Sequence, residues 1–176
     1  TQRLPRLVGA QAALELIVGG GHVPAGKALE LGIVDEIVGG DLEAAAIAYA
    51  EKLLADGTGP RAIRDITPEA AGPEVFDNFE KSIARKQRGF LAPFHIIKSI
   101  RAAFELPFDE GMAREEKLFM ELMTSSESAS QRHIFFAERE VAKVPGLARD
   151  TVKREINCGA VVGAGTMGGG IAMNWK

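Results

Sequence analysis

Residues 112–124 read MAREEKLFMELMT, and the period of this stretch decides which class of fold the chain builds. Met112, Leu118, Phe119, Leu122 and Met123 align on one face of a helix, while Arg114, Glu115, Lys117 and Glu121 can face water. Helical patterns of the same kind cover 74–88, 94–105 and 127–144, separated by Gly89, Pro93, Pro107, Gly111 and the Ser125/Ser126 pair. The chain is therefore expected to be mainly α. No internal repeat or low-complexity tract interrupts the pattern.

Working toward the start, residues 57–73 hold Gly57, Gly59, Pro60, Pro68, Gly72 and Pro73, so a long loop with a brief helical turn is expected there. Before it, LEAAAIAYAEKLLA (42–55) follows Asp41, a suitable N-cap, and carries apolar residues all round; a largely buried helix is expected. AQAALELIV (10–18) has strong helix propensity and stops at Gly19, Gly20 and Gly21. Pro24 suits the first position of a short helix over AGKALEL that Gly32 ends, and the β-branched run 33–38 reads as a short strand or extended segment.

Toward the end, Pro145 and Gly146 break the last long helix. A polar stretch, 148–155, then leads into 156–162, which has the content of a buried strand. The next residues, Gly163-Ala164-Gly165-Thr166-Met167-Gly168, match G-x-G-x-x-G with a candidate strand before and a helix from Thr166 after. In such a turn the first glycine permits the sharp bend and the second lets backbone amides approach a pyrophosphate. The third lets helix and strand pack closely, and the helix N-terminus adds partial positive charge. The competing reading is a glycine-rich strand-to-helix turn with no ligand. Only eight residues follow Gly168, so the acidic residue that would choose between NAD and NADP lies outside the sequence.

Composition limits the function classes. With 176 residues, 46% hydrophobic and 26% charged, the chain has the make-up of a globular protein of ordinary domain size. A net charge of −3 with the signs interspersed leaves no basic stripe, so nucleic acid is not an expected partner. No apolar run reaches the roughly 20 residues that span a bilayer, so no membrane span is expected. The single Cys158 forms no intrachain disulfide, which points to a reducing compartment, the cytoplasm by default. Residues 1–9 carry no targeting pattern and read as the middle of a structured turn.

Two segments resemble known families. TQRLPRLVGAQAALELIVGG with GKALELGIVDEIV resembles the second half of a crotonase (enoyl-CoA hydratase/isomerase) domain. VVGAGTMGGGIA resembles the opening of 3-hydroxyacyl-CoA dehydrogenases, whose G-x-G-x-M-G-x-G-I-A form is narrower than the general fingerprint. Between them, KSIRAAFELPFDEGMAREEKLFMELMTSSES and HIFFAERE resemble the helical region joining the two domains in multifunctional β-oxidation enzymes. The resemblance implies three parts: 1–72, the C-terminal helical part of a crotonase-like α/β domain; 73–155, linking helices; and 156–176, the first strand-turn-helix of a Rossmann α/β domain that binds NAD. It implies acyl-CoA thioester substrates and a possible thiolase subunit as partner. The family's two catalytic glutamates and oxyanion amides lie upstream of the matching motifs, and its His/Glu pair lies downstream. No residue of this chain is therefore assigned as catalytic, and the cofactor-binding residues are Gly163, Gly165, Thr166, Met167 and Gly168. Two alternatives stay open: a helical scaffold docking catalytic domains or a partner, and a dehydrogenase whose crotonase-like part is inert.

The remaining chemistry-bearing residues read more plainly. His22, His95 and His133 are scattered without metal-ligand spacing, so no metal is expected. Cys158 reads as a small buried hydrophobe, and Lys98 as a solvated residue on an amphipathic helix. Arg3 and Arg6 read as salt-bridged turn residues; by the resemblance, facing CoA phosphates is their alternative role. The Phe119/Met120/Met123 and Phe135/Phe136 clusters read as core or interdomain packing, with contact to an acyl chain as the alternative.

Overall fold

The computed structural model describes residues 1–148 and 150–174. Nine α-helices and one 3-10 turn make up their regular structure, with no strand among the described residues. The chain divides into two compact units, Thr1–Ile134 and Phe135–Lys176, and the division falls within the eighth helix.

The first unit is built around α6 (Ala92–Glu105), which buries Ile97, Ser99, Ile100, Ala102 and Ala103. On it pack α1 (Leu4–Val8), α2 (Ala10–Gly19), α5 (Pro73–Ala84) and α7 (Phe108–Met123). The core joins Ala10, Ala13 and Leu14 of α2 to Phe76 of α5 and to Ile97 and Ile100 of α6. Phe76 also meets Phe104 edge-on, with ring centroids 5.8 Å apart. Leu14, Phe76, Ile97 and Ile100 are fully buried; such side chains each contribute roughly 1.5–3 kcal/mol of burial. Helices from both sides of the 57–73 loop thus share one core. That loop holds the expected helical turn, Ile63–Asp65.

Local chemistry explains the helix ends. Gly20 closes α2 in the left-handed conformation (φ 63°), its N–H reaching the Leu16 carbonyl at 3.1 Å. Pro24 immediately precedes α3 (Ala25–Glu30), and Gly32 (φ +69°) turns the chain away from it. Asp41 caps α4 (Leu42–Ala55) by accepting from the N–H groups of Glu43 and Ala44 at 3.0 and 3.2 Å. Pro107 leads into α7, whose first turn carries Asp109 and Glu110 where the helix dipole favours negative charge.

Five expectations are corrected here. The segment 33–38 forms bends and irregular chain, without a strand partner. Helix α4 forms where expected but buries no residue, with Leu42, Ile47 and Leu54 at 69%, 55% and 81% exposure. Apolar composition can hide a helix only against a neighbour, and none of the described elements packs closely on it. Gly111, taken as a separator, lies inside α7 and is buried. Its missing side chain leaves room for Gln2, because a Cβ at this position would overlap Gln2 Oε1.

In the second unit α8 (Ser126–Val141) ends, irregular chain follows, and α9 (Thr166–Met173) closes the described region. The fourth correction is that 156–162 is not a buried strand: it has no regular structure, with Ile156 at 73% and Val162 at 100% exposure. A lone extended segment has no ladder to satisfy its N–H and C=O groups, so water takes them. Cys158 is accordingly exposed, not buried.

Candidate functional site

Two places carry arrangements worth testing as sites. The first is the glycine turn of the second unit. Gly163 has φ +104°, a conformation that glycine adopts without steric cost. Gly165 is extended (φ −74°, ψ −176°) and caps α9, its carbonyl accepting from Gly169 N–H at 2.9 Å. Nothing lies within 4 Å of a Cβ built on Gly165, so that side of the turn is open. Gly168 is the opposite case: a Cβ there would overlap the Gly163 carbonyl oxygen. The first turn of α9 therefore folds back on the loop as closely as a glycine allows. Thr166 and Met167 are exposed on that first turn. An open second glycine, a crowded third one and a following helix suit a pyrophosphate approaching the loop.

The second place is a cleft of about 650 Å³ between α6 and α7 in the first unit. Ile96, Met112, Leu118, Phe119 and Leu122 make it apolar, so the face that the 112–124 pattern identified opens onto the cleft, and of these only Leu118 is buried. Polar groups gather at one part of its wall. Thr1 Oγ1 meets both Ser99 Oγ and Glu115 Oε2. Burial pushes the Glu115 carboxyl up, while the hydrogen bond from the Thr1 hydroxyl and the nearby Arg3 guanidinium push it down.

The other singled-out residues fall as follows. His95 contacts Glu121 at 3.1 Å on the cleft wall, while His22 and His133 are exposed elsewhere. No group of His, Cys, Asp or Glu among the described residues could hold a metal ion. Lys98 is exposed. Phe119, Met120 and Met123 are 56%, 54% and 43% exposed, so the packing expected of them is not made within the first unit. Phe135 and Phe136 touch edge-on at 5.3 Å with Arg139 over Phe135, yet both remain largely exposed. Neither Arg3 nor Arg6 forms a salt bridge among the described residues. Both guanidinium groups lie over the Phe108 ring, at 5.3 and 5.4 Å, together with Arg64 at 5.1 Å.

Sequence reading missed the Thr1–Ser99–Glu115 contacts, the Gln2–Gly111 fit and the arginine collar. Only Gly111 offered a local signal, since an isolated glycine within a helical pattern often marks a close approach. The others join residues far apart in sequence, and no periodicity reports them.

Known proteins supply the remaining finding. No protein-family model matches the chain. Many curated proteins do match, three of them over 98–99% of this chain as follows. The peroxisomal bifunctional enzyme of Cavia porcellus is 36% identical over 181 residues, and that of Danio rerio 38% over 180. The fatty acid oxidation complex subunit alpha of Shewanella sp. (strain MR-4) is 34% identical over 179 residues. The chain spans about a quarter (25%) of the length of each of these relatives. Along nearly its whole length, then, the chain is homologous to about one quarter of proteins named peroxisomal bifunctional enzyme and fatty acid oxidation complex subunit alpha.

Proposed function

We propose that the parent of this chain is a bifunctional enzyme that hydrates enoyl-CoA and oxidises the resulting 3-hydroxyacyl-CoA with NAD. Residues 1–72 are then part of its crotonase-like domain, 73–155 its connecting helices and 156–176 the opening of its Rossmann dehydrogenase domain. The observation that carries the reading is the turn at 163–168, where a Cβ on Gly168 has no room while the space before Gly165 is open. The names of the relatives support the wider assignment. When bound, NAD would accept the hydride from the 3-hydroxyl carbon. Gly163, Gly165, Thr166, Met167 and Gly168 would hold and orient its pyrophosphate. No catalytic residue is assigned to this chain, whose part is binding and orientation.

Gly168→Ala in the full-length parent tests this division of labour. A Cβ there must push α9 off the loop, and misplacement by about 1 Å costs a reaction roughly 100-fold. NAD-dependent oxidation should fall by that order while enoyl-CoA hydration stays at the parent level. Loss of neither activity, or of both equally, would refute the reading.

A scaffold role is the second reading, favoured by the exposed Phe119, Met120 and Met123 on α7. The "complex" in the Shewanella relative's name suits it, and a thiolase subunit is the partner we would seek by co-purification with the full-length protein. We keep the cytoplasm as compartment on the strength of a single cysteine; the peroxisomal relatives make that organelle the competing location, which imaging of the tagged parent decides.

A further inference from the structure

The cleft between α6 and α7 has the make-up of an interior more than of a surface. Leu118 in it is buried, Ile96, Met112 and Leu122 are half-buried, and Phe119 is exposed. The apolar face runs on past the cleft: Met123, one turn beyond Phe119 on α7, is 43% exposed. Leaving such a face to water is unfavourable, and apolar patches of this kind mark surfaces that another group covers.

The chemistry of the wall narrows what that group is. No lysine or arginine lines the cleft, so a phosphate or carboxylate meets no cation there. The polar side chains of the wall are mostly engaged within the chain: Thr1 Oγ1 with Ser99 and Glu115, His95 Nε2 with Glu121 at 3.1 Å, and Asp109 with Arg64 at 2.8 Å. His95 Nδ1 has no partner among the described residues, but it is sealed from solvent. A small polar molecule therefore finds little to hold it, whereas apolar side chains enter at no cost in hydrogen bonds. Apolar surface whose polar groups are already satisfied is what a protein core shows when it is cut in half. At about 650 Å³ the cleft has the size of a pocket for a drug-sized molecule, the equivalent of several large side chains. Covering sequence is at hand, because the chain spans 25% of the length of each relative and a parent of that size holds the other 75% outside it.

We propose that the cleft and the adjoining face of α7 are filled by an apolar segment of the parent polypeptide that lies outside residues 1–176. This carries the scaffold reading further, giving the face to the parent's own chain and not to a thiolase subunit. It rests on the homology to longer proteins and on neither proposed activity, so an inactive parent leaves it standing.

The test uses the purified full-length parent, alone in solution. Peroxide oxidation followed by mass spectrometry reads how far solvent reaches Met123 in the unmodified protein. Oxidation at least about tenfold slower than in the urea-unfolded parent is expected, since a covered thioether is shielded from the oxidant. Photolysis of the parent with p-benzoylphenylalanine in place of Phe119 then identifies the cover, because the excited ketone inserts into adjacent C–H bonds. The expected adduct stays within one polypeptide, with no gain in mass on a denaturing gel, and joins position 119 to an apolar peptide outside residues 1–176. The same replacement at Met123 serves if the first variant lacks a cooperative thermal transition. Oxidation of Met123 at the unfolded rate overturns the proposal. So does the absence of any adduct, an adduct confined to residues 1–176, or one that links two polypeptides, the mark of a second copy.

Discussion

Gly111→Ala sets two physical effects against each other, and the fold decides the sign. On propensity alone the change should stabilise α7, because glycine in a helix interior costs about 1 kcal/mol relative to alanine. The structure argues the reverse. A Cβ at 111 would overlap Gln2 Oε1, and Gln2 is 1% exposed, with its Nε2 donating to the Ser99 carbonyl at 2.7 Å. Moving that amide breaks the bond, at about 1 kcal/mol, and overpacking a filled interior costs about 1–3 kcal/mol. The net expectation is a loss of roughly 1–3 kcal/mol after the helical gain is subtracted. Urea denaturation reads this as a lower midpoint at constant slope. The double variant with Gln2→Ala isolates the cause: once Gln2 is shortened, Gly111→Ala should become neutral or stabilising. A stabilised single variant, or an unchanged penalty in the Gln2→Ala background, would refute the reasoning.

Other predictions follow from the same geometry. Phe76→Ala should cost about 3–5 kcal/mol, as truncation of a buried aromatic does, because Phe76 is 1% exposed and joins α5 to α6; a change under about 1 kcal/mol in chemical denaturation would contradict the core assignment. Asp41→Ala removes the acceptor for two N–H groups and should cost about 0.5–2 kcal/mol, seen first as fraying of α4 in hydrogen exchange.

The helices were legible because each is announced within one or two turns of sequence. The apolar face of 112–124, the capping side chain of Asp41 and the glycines after residue 18 act locally, and the structure honours them. Burial was less legible, since it depends on a partner. Helix α4 is as apolar as a core helix yet has no close neighbour among the described elements, and Val162 has strand chemistry without a ladder. Gly111 was misread for the same reason: a glycine looks like a break until Gln2, brought from far upstream, fills the space it leaves. The glycine turn was readable as a pattern because its contacts are local, with Gly168 meeting Gly163 five residues away. The arginine collar was not, because Arg64 and Phe108 reach Arg3 and Arg6 only through the fold.

The most direct test of the account is a coupled assay on the purified full-length parent, supplied with a short enoyl-CoA and NAD while NADH formation is followed by absorbance. Steady NADH production from enoyl-CoA alone is predicted, since hydration and oxidation then occur on one polypeptide. NADH that appears only when 3-hydroxyacyl-CoA replaces enoyl-CoA would contradict it, reducing the crotonase-like part to inert scaffold.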